Sequence, residues 1–313
     1  MVLAICIFLG ILLLVLLGSA VCFFLTFYSA KRKILGDEEY EIPPGEIYEP
    51  FRDEIMGWMR DSRTLPHRCF EIKSHDGLTL RGQYYECEPG APIELLFHGY
   101  RGNAERDMSG GIARCFAMNR NALIIDQRAS GKSEGSIITF GLKEHLDCLA
   151  WVDFAVKHFG SDVKLILTGI SMGASTVLMA AGKDLPPNVI CVLGDCGFSS
   201  PKKILIKVLR QIKLPPFIFY PIIKLGALIF GGINLESYSP EEAMKHASVP
   251  VILIHGDTDD FVPCEMSREL YDACASQHKR LEYISGAGHG LAFPQDKETY
   301  LSALRQFQEE CGF

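Results

Sequence analysis

Gly169-Ile170-Ser171-Met172-Gly173 is a Gly-x-Ser-x-Gly motif, and the residues on either side of it indicate the fold. The preceding run, Val163 to Thr168, is apolar and β-branched and predicts a buried strand, whereas Ala174 to Ala181 is small and apolar and predicts a helix. In a strand–turn–helix of this kind the turn is so tight that small residues must flank the serine. The pattern therefore predicts that Ser171 is a nucleophile at the carboxyl end of a strand.

A serine hydroxyl needs a base to accept its proton and a carboxylate to orient that base. His289 is the predicted base, because it lies in a glycine-rich loop after a predicted strand at Arg280 to Ile284. The carboxylate is predicted in the loop after the Val249 to His255 strand, since open α/β sheets gather functional groups at the carboxyl ends of their strands. The resulting chain order of serine, acid and histidine is the one that this type of turn predicts.

Two backbone amides are the predicted donors to the oxyanion that forms when a serine attacks a carbonyl. One belongs to Met172, the residue after the nucleophile, and the other to Tyr100, in the loop after an early strand at Pro92 to His98. The Tyr100 ring is expected to line the pocket. His98 and His255 each precede a glycine at a strand end and are predicted to be structural.

These motifs together resemble the α/β-hydrolase superfamily. They are the His98 to Asn103 loop, the Asp126 to Ser133 turn, Gly169 to Gly173, the Asp259 loop and His289. The resemblance is to membrane-anchored bacterial hydrolases of the serine-aminopeptidase-like and esterase-like group, and it covers about His67 to the C-terminus. It implies an α/β fold with a mostly parallel central sheet flanked by helices, a small helical cap, and hydrolysis of esters, thioesters or amides. Ala129 departs from the pattern, because many relatives carry glycine there, so that turn is expected to differ slightly.

Four aspartates compete for the role of the acid. Asp257, Asp259 and Asp260 share one loop, and Asp195 follows an earlier apolar strand. Asp259 is preferred because its Gly-x-x-Asp-x-x-Val-Pro setting resembles the acid loop of many α/β hydrolases, with Val262 and Pro263 beginning the next helix. Asp257 is expected to form a turn, and Asp260 to be solvated or to cap a helix. Asp195 is the runner-up, with a structural role in anchoring the 194–200 loop as its preferred interpretation.

Three segments are predicted. Residues 1–30 form a transmembrane anchor, residues 31–66 a linker and a packing helix, and residues 67–313 the hydrolase domain, with a cap insertion at about 198–238. Apolar residues between Ile47 and Met59 recur at helical spacing and are expected to pack on the domain, the alternative being contact with a membrane surface. The cap is expected to shield Ser171 and to form an apolar acyl pocket, and its basic face is a further candidate for contact with anionic lipid.

Val2 to Tyr28 is uncharged and apolar over more than the roughly twenty residues that span a bilayer. A cleaved signal peptide is the rival interpretation, but no basic residue precedes the apolar run. Lys31-Arg32-Lys33 follows it directly, so the positive-inside rule predicts a single-pass protein whose catalytic domain is cytoplasmic.

Composition excludes several classes of function. The net charge of −7 and the lack of a basic-aromatic array argue against nucleic-acid binding. The 11 cysteines include no Cys-x-x-Cys pair, which favours reduced thiols over a disulfide framework. The nine histidines show no metal-ligand spacing, so neither a metal nor another cofactor is expected.

The sequence thus predicts a membrane-anchored serine hydrolase that acts on a small-molecule or lipid-like carboxylic ester with an apolar acyl or alcohol group. A peptidase of aminopeptidase type, a thioesterase and an acyl transferase would use the same residues and stay open. The alternative of a different class is a receptor that keeps the hydrolase fold without turnover.

Overall fold

A single eight-stranded sheet organises the described part of the chain. The computed structural model describes residues 1–29, 36 and 38–313. The strands are β1 His67–Lys73, β2 Thr79–Tyr85, β3 Ile93–Phe97, β4 Asn121–Asp126, β5 Leu165–Ile170, β6 Val189–Asp195, β7 Val251–Gly256 and β8 Lys279–Ile284.

The sheet is mostly parallel, which confirms the predicted fold class. The strand order is β1-β2-β4-β3-β5-β6-β7-β8. The predicted hairpin is present as β1 and β2, which are antiparallel, and β2 is also antiparallel to β4. The remaining neighbours are parallel, so the carboxyl ends of β3, β5, β6, β7 and β8 lie along one edge.

Helices cover the two faces of this sheet. The α-helices of the described residues are α1 Val2–Thr26, α2 Arg52–Thr64, α3 Ala104–Ala117, α4 Glu144–Phe159, α5 Met172–Ala181, α6 Pro201–Gln211, α7 Pro216–Gly231, α8 Pro240–Met244, α9 Glu265–Ala273, α10 Ala292–Gln295 and α11 Lys297–Cys311, and a 3-10 helix spans Glu46–Phe51. The central strands are fully buried because helices lie on both sides of them.

Two apolar layers hold the sheet between the helices. On one face Trp151 of α4, Val177 of α5 and Leu270 of α9 pack with the strands. On the other face Tyr300, Leu304 and Phe307 of α11 form one cluster, and α3 forms another. A sandwich of this kind fixes the sheet edge at which the loops carrying the predicted site residues emerge.

α1 is packed on the domain at its carboxyl end. Phe27 is fully buried, and its ring lies 5.6 Å from the ring of Phe140. The last carbonyls of α1 are satisfied from the loop after β3, because the Tyr100 hydroxyl donates to the Thr26 carbonyl and the Arg101 guanidinium donates to the carbonyls of Leu25 and Tyr28.

Within the described residues, α1 is the one helix long and apolar enough to cross a membrane, and by that test an anchor and a signal sequence look the same. The basic cluster Lys31-Arg32-Lys33, which carried the prediction of sidedness, lies outside the described residues.

Two local details differ from the sequence analysis. The helix after the Asp259 loop was expected to begin at Val262 and Pro263, but α9 begins at Glu265, because Asp259 Oδ1 accepts the Val262 amide and holds that residue in the loop. Ala129 adopts a left-handed backbone conformation with φ of +61°, which is the conformation that the glycine of related sequences would adopt without strain.

Candidate active site

Ser171 occupies a strained turn between β5 and α5. Its φ of +56° and ψ of −118° lie outside the usual regions for a residue with a side chain. The turn closes tightly, because a β-carbon at Gly169 would overlap with the Gly173 carbonyl group, and one at Gly173 would overlap with the Phe97 carbonyl oxygen. The glycines of the Gly-x-Ser-x-Gly motif are therefore required by close backbone approach, as the sequence predicted.

The structure brings Ser171, His289 and Asp259 together. His289 Nε2 lies 2.9 Å from Ser171 Oγ, and His289 Nδ1 lies 2.7 Å from Asp259 Oδ2. Three loops supply these groups, after β5, β7 and β8, at one edge of the sheet. With the Nδ1 proton donated to the carboxylate, Nε2 is left to accept the serine proton.

Asp259 is buried and yet prepared to carry charge. Its Oδ1 accepts the backbone amides of Phe261 at 2.9 Å and Val262 at 2.8 Å. Burial raises the pKa of this carboxyl, but hydrogen bonds from His255 and His289 and the charge of His289 outweigh burial and hold the pKa well below its usual range. Asp259 is therefore an ionised partner for His289.

Asp195, the runner-up for the acid, is placed differently. Its Oδ2 accepts the hydroxyl of Tyr300 on α11 at 3.0 Å, and its Oδ1 has no hydrogen-bond partner among the described residues. Burial raises the pKa of Asp195 to about 6. The sequence predicts that this carboxylate anchors its own loop at 194–200, but its side chain is bound by Tyr300 of α11, a long-range contact that the local sequence does not reveal.

The other aspartates of the acid loop point elsewhere. Asp257 accepts the Gly286 amide at 2.6 Å and so ties the acid loop to the histidine loop, which fits its expected role in a turn. Asp260 is exposed, and its carbonyl accepts the Lys207 ammonium at 2.7 Å.

His98 and His255 are both buried, as structural residues are. His98 Nε2 accepts the Gln127 amide. His255 Nδ1 lies 2.6 Å from Ser267 Oγ, and its Nε2 lies 2.9 Å from the Val262 carbonyl and 3.2 Å from Asp259 Oδ2. His255 therefore contacts the same carboxylate oxygen, Asp259 Oδ2, as His289 does, a contact that the sequence analysis missed.

The two predicted oxyanion donors lie beside Ser171. Met172 is the first residue of α5, where backbone amides lack helical partners. The loop after β3 approaches the nucleophile closely, because a β-carbon at Gly99 would lie 3.5 Å from Ser171 Cβ. The next residue, Tyr100, lines the pocket and stacks its ring on Phe140 at 5.2 Å.

A cavity of about 610 Å³ opens at Ser171, and its walls differ from those expected. The sequence predicts that the insertion at about 198–238 forms the acyl pocket, but only Gln211 of that segment lines this cavity. One wall comes from the segment before the hydrolase domain instead. The residues of that wall are Pro43, Pro44, Gly45, Ile47, Tyr48, Ile55 and Trp58.

Helix packing explains why α2, and not the insertion, forms this wall of the pocket. α2 lies against α3, with Trp58 so close to Gly110 that a β-carbon there would clash with the indole ring. The insertion packs at a different place, because its helix α7 lies against α1. The helix predicted to pack on the domain does so, and it forms a wall of the pocket.

Tyr48 is a site residue that the sequence analysis missed. Its hydroxyl donates to the His289 carbonyl at 3.0 Å, a contact between residues 241 positions apart. Burial, together with nearby Cys196, Asp107 and Asp259, raises the pKa of Tyr48 well above its usual value, so the phenol stays a donor. No local pattern around Glu46–Phe51 indicates such a contact.

Two clusters of potential metal ligands occur in the described chain. Cys196 lies with Asp259 and His289, and His75 lies with Asp76 and Asp147. In the first cluster His289 and Asp259 bind each other, and burial raises the pKa of the Cys196 thiol well above its usual value. In the second, Arg128 donates to both carboxylates. Both clusters are accounted for by hydrogen bonding and ion pairing.

Comparison with known proteins places these features in a wider context. One family model, described as alpha/beta hydrolase fold, matches residues 95–222, and another, described as serine aminopeptidase, S33, matches residues 239–296. YfhR of Escherichia coli (strain K12) is 30% identical over 234 residues, which are 71% of this chain and 73% of YfhR. YqkD of Bacillus subtilis (strain 168) is 25% identical over 245 residues, which are 78% of this chain and 79% of YqkD.

Solved structures agree on the fold. The esterase Pf2001 of Pyrococcus furiosus superposes with a TM-score of 0.65 at 22% identity, covering 87% of this chain and 99% of the esterase. At this level of identity the likeness concerns the fold alone, and the chemistry has to be argued from the residues of the site.

Proposed function

Since this chain belongs to the α/β-hydrolase superfamily, we propose that it is a serine esterase that cleaves carboxylic esters with an apolar acyl or alcohol group. One observation carries the proposal: Ser171, His289 and Asp259 form a continuous hydrogen-bonded chain, and Ser171 and His289 line a pocket of about 610 Å³. The pocket is in the size range of small-molecule sites, and side chains such as Ile47, Trp58 and Phe293 make its walls apolar.

The proposed mechanism follows from the positions of the atoms. Ser171 Oγ attacks the ester carbonyl carbon while His289 Nε2 accepts its proton, and Asp259 holds the imidazolium that results. The amides of Met172 and Tyr100 stabilise the oxyanion. His289 then returns the proton to the leaving alcohol, and water attacks the acyl-enzyme by the same steps in reverse.

A fluorophosphonate probe tests the nucleophile. We expect covalent labelling of the wild-type protein, no labelling of Ser171→Ala, and full labelling of Ser161→Ala, a matched control at an exposed serine far from the site. Labelling of all three proteins alike would overturn the assignment of Ser171. A wild-type protein that is folded but inert to the probe would favour the receptor alternative.

The aminopeptidase alternative is favoured by one observation, the match of residues 239–296 to the serine aminopeptidase model. A panel of p-nitrophenyl esters of graded length beside aminoacyl p-nitroanilides separates the two activities. We expect kcat/KM to rise with acyl length among the esters and to be low for the amides. The opposite ranking would replace the esterase by a peptidase on the same residues.

We further propose that α1 is retained as a membrane anchor and that the catalytic domain is cytoplasmic. Retention is supported by the burial of Phe27 and by the bonds that Tyr100 and Arg101 make to the end of α1, since cleavage near Ser29 would uncover this contact. Mass spectrometry of the protein purified from membranes tests retention, because cleavage near Ser29 would remove the mass of α1. A membrane-impermeant thiol reagent on intact cells tests sidedness through exposed Cys69 and Cys87, whose modification would contradict a cytoplasmic domain.

A further inference from the structure

α1 and α7 approach each other closely along the carboxyl-terminal half of α1. A β-carbon at Gly226 would overlap with the Ser19 carbonyl oxygen, so the two backbones are in direct contact there. Ser19 and Phe23 are buried in this contact, and the Phe23 ring lies 5.8 Å from the ring of Phe230. Small residues that let helices approach closely in this way are typical of helix pairs within membranes.

The contacts follow the same order along both helices. A β-carbon at Gly18 would lie 3.9 Å from Ile222, Gly226 meets Ser19, and Gly231 meets the Phe23 ring. The helices therefore run in the same direction. The amino-terminal end of α7, which begins at Pro216, is directed toward the amino-terminal half of α1.

Both helices also present apolar side chains outward. Along α1 the outward residues stay exposed through the stretch that contacts α7, including Val21 at 50% and Leu25 at 69%. On α7 the side chain of Phe217 is 81% exposed. The α7 face comprises Phe217, Ile218, Leu228, Ile229 and Phe230. Exposed apolar side chains grouped in this way mark a surface that a binding partner covers.

The length of α1 indicates which partner covers the α7 face. Its 25 residues extend over about 37 Å, and a bilayer core is about 30 Å thick. If α1 spans the core, only about five of its residues lie outside it. The contact with α7 begins at Gly18, eight residues before the end of α1, so it overlaps the depth of the hydrocarbon.

Charge favours lipid over a second copy of the chain. Residues 201–231 contain six lysines and arginines and no aspartate or glutamate, although the whole chain has a net charge of −7. Lys202, Lys203 and Lys224 form ion pairs with Glu236, Glu241 and Glu269 of the same chain, so the positive charge left uncompensated among the described residues is that of Lys207, Arg210 and Lys213. Pairing this face with itself would bring these cations of two copies together, whereas anionic headgroups complement them.

We propose that the α7 face inserts into the lipid bilayer beside α1, so that the insertion between β6 and β7 is a membrane-docking element. It holds the domain against the bilayer in one orientation. α6 links this element to the site, because Lys207 bonds the Asp260 carbonyl and the neighbouring Phe261 lines the pocket.

Tryptophan quenching in proteoliposomes tests this insertion. The full-length chain is reconstituted in a mixture of phosphatidylcholine and anionic phosphatidylglycerol, both with brominated acyl chains, as wild type, Phe217→Trp and, as control, His246→Trp. His246 is exposed and precedes β7, at the edge of the sheet opposite Ser171. After subtraction of the wild-type signal from Trp58 and Trp151, we expect emission of Phe217→Trp to be blue-shifted and at least halved by bromine, and emission of His246→Trp to be neither.

Two outcomes would overturn the proposal. Emission of Phe217→Trp at the wavelength of water-exposed indole, quenched no more than the control, would leave the face in solvent. Blue-shifted emission that bromine does not quench would mean that protein, such as a second copy, covers the face. Thermal unfolding of Phe217→Trp is the control for folding, and a midpoint equal to that of the wild type excludes misfolding as the cause of either result. Neither result depends on whether the protein is an esterase.

Discussion

Asp259 and Asp195 are two buried carboxylates at or just after the carboxyl ends of parallel strands, and their surroundings shift their pKa values in opposite directions. Their exposed fractions are similar, 7% for Asp259 and 5% for Asp195. Asp259 receives two backbone amides and lies beside two imidazoles, whereas Asp195 receives one phenol and keeps one oxygen without a partner among the described residues. The pKa of Asp259 is accordingly lowered, and the pKa of Asp195 is raised to about 6.

The comparison shows that burial alone does not decide the charge of a carboxyl group. Desolvation is the largest influence at both sites and raises the pKa at both. The difference comes from the donors, because several hydrogen bonds to the charged form offset desolvation and a single one does not. A tyrosine from a distant segment lies near each carboxylate. Tyr300 donates a hydrogen bond to Asp195 itself, whereas Tyr48 donates to the backbone carbonyl of His289, the residue that binds Asp259.

Asp259→Asn should lower activity more than any other single change at the two carboxylates. An amide in this position donates where the carboxylate accepted, so it favours the wrong tautomer of His289. We expect kcat on a short p-nitrophenyl ester to fall by about 10⁴-fold. Thermal unfolding serves as the control for folding, and a loss smaller than tenfold would show that Asp259 is not the acid.

Tyr300→Phe removes the phenol from Asp195. Neither oxygen of the buried Asp195 carboxyl then has a hydrogen-bond donor among the described residues. This loss should lower the free energy of unfolding by about 1–3 kcal/mol. The loss should be greater at pH 8 than at pH 5, because the charged form needs the donor more. Chemical denaturation at the two pH values measures it. A destabilisation equal at both would mean that the charge of Asp195 is not involved.

Asp195→Asn tests the pKa of about 6 directly. The native state holds this proton more tightly than the unfolded chain, so wild-type stability attributable to Asp195 falls as pH rises from about 4 through 6. The asparagine variant lacks this dependence. Its unfolding free energy relative to wild type should therefore increase by about 1 kcal/mol between pH 5 and pH 8.

The same variant also tests the choice of acid. If Asp195 takes no part in the reaction, kcat of Asp195→Asn stays within about threefold of wild type. A collapse of kcat in Asp195→Asn, with Asp259→Asn active, would reverse the roles assigned to the two carboxylates.

Tyr48→Phe is the smallest expected change. It removes one hydrogen bond to the His289 carbonyl, worth about 1 kcal/mol, and so should lower kcat by about fivefold. KM should change less, because the ring that lines the pocket remains. Tyr220→Phe is the matched control, since it removes a phenol that bonds Glu236 outside the pocket and should leave kcat unchanged. Equal effects of both variants would make Tyr48 a structural residue only.

The sheet and the central residues of the site could be predicted because their signals are local. Short apolar runs with tight turns specify parallel strands, and the Gly-x-Ser-x-Gly motif specifies its own strained geometry, since larger side chains at Gly169 and Gly173 would overlap with backbone atoms. His289 and Asp259 follow strands whose carboxyl ends meet at one edge, so their proximity follows from topology.

The surroundings of the site could not be predicted in the same way. The apolar residues of Glu46–Phe51 and α2 look like those of any packing helix, and the insertion looks like a lid. Apolar side chains indicate that a helix face is buried, but they do not indicate which element it packs against, because the hydrophobic effect is non-directional. The structure shows that α2 lines the pocket while α7 packs against α1.

The α/β fold, the strained turn at Ser171 and the loops from which His289 and Asp259 approach it can therefore be read from the amino-acid sequence. Which segment covers the pocket, that Tyr48 donates to the His289 carbonyl, and that Tyr300 binds Asp195 are visible only in the folded chain. The physical reason is range: turns and strands are specified by neighbours in sequence, whereas pocket walls and pKa values depend on groups that folding brings together from distant parts of the chain.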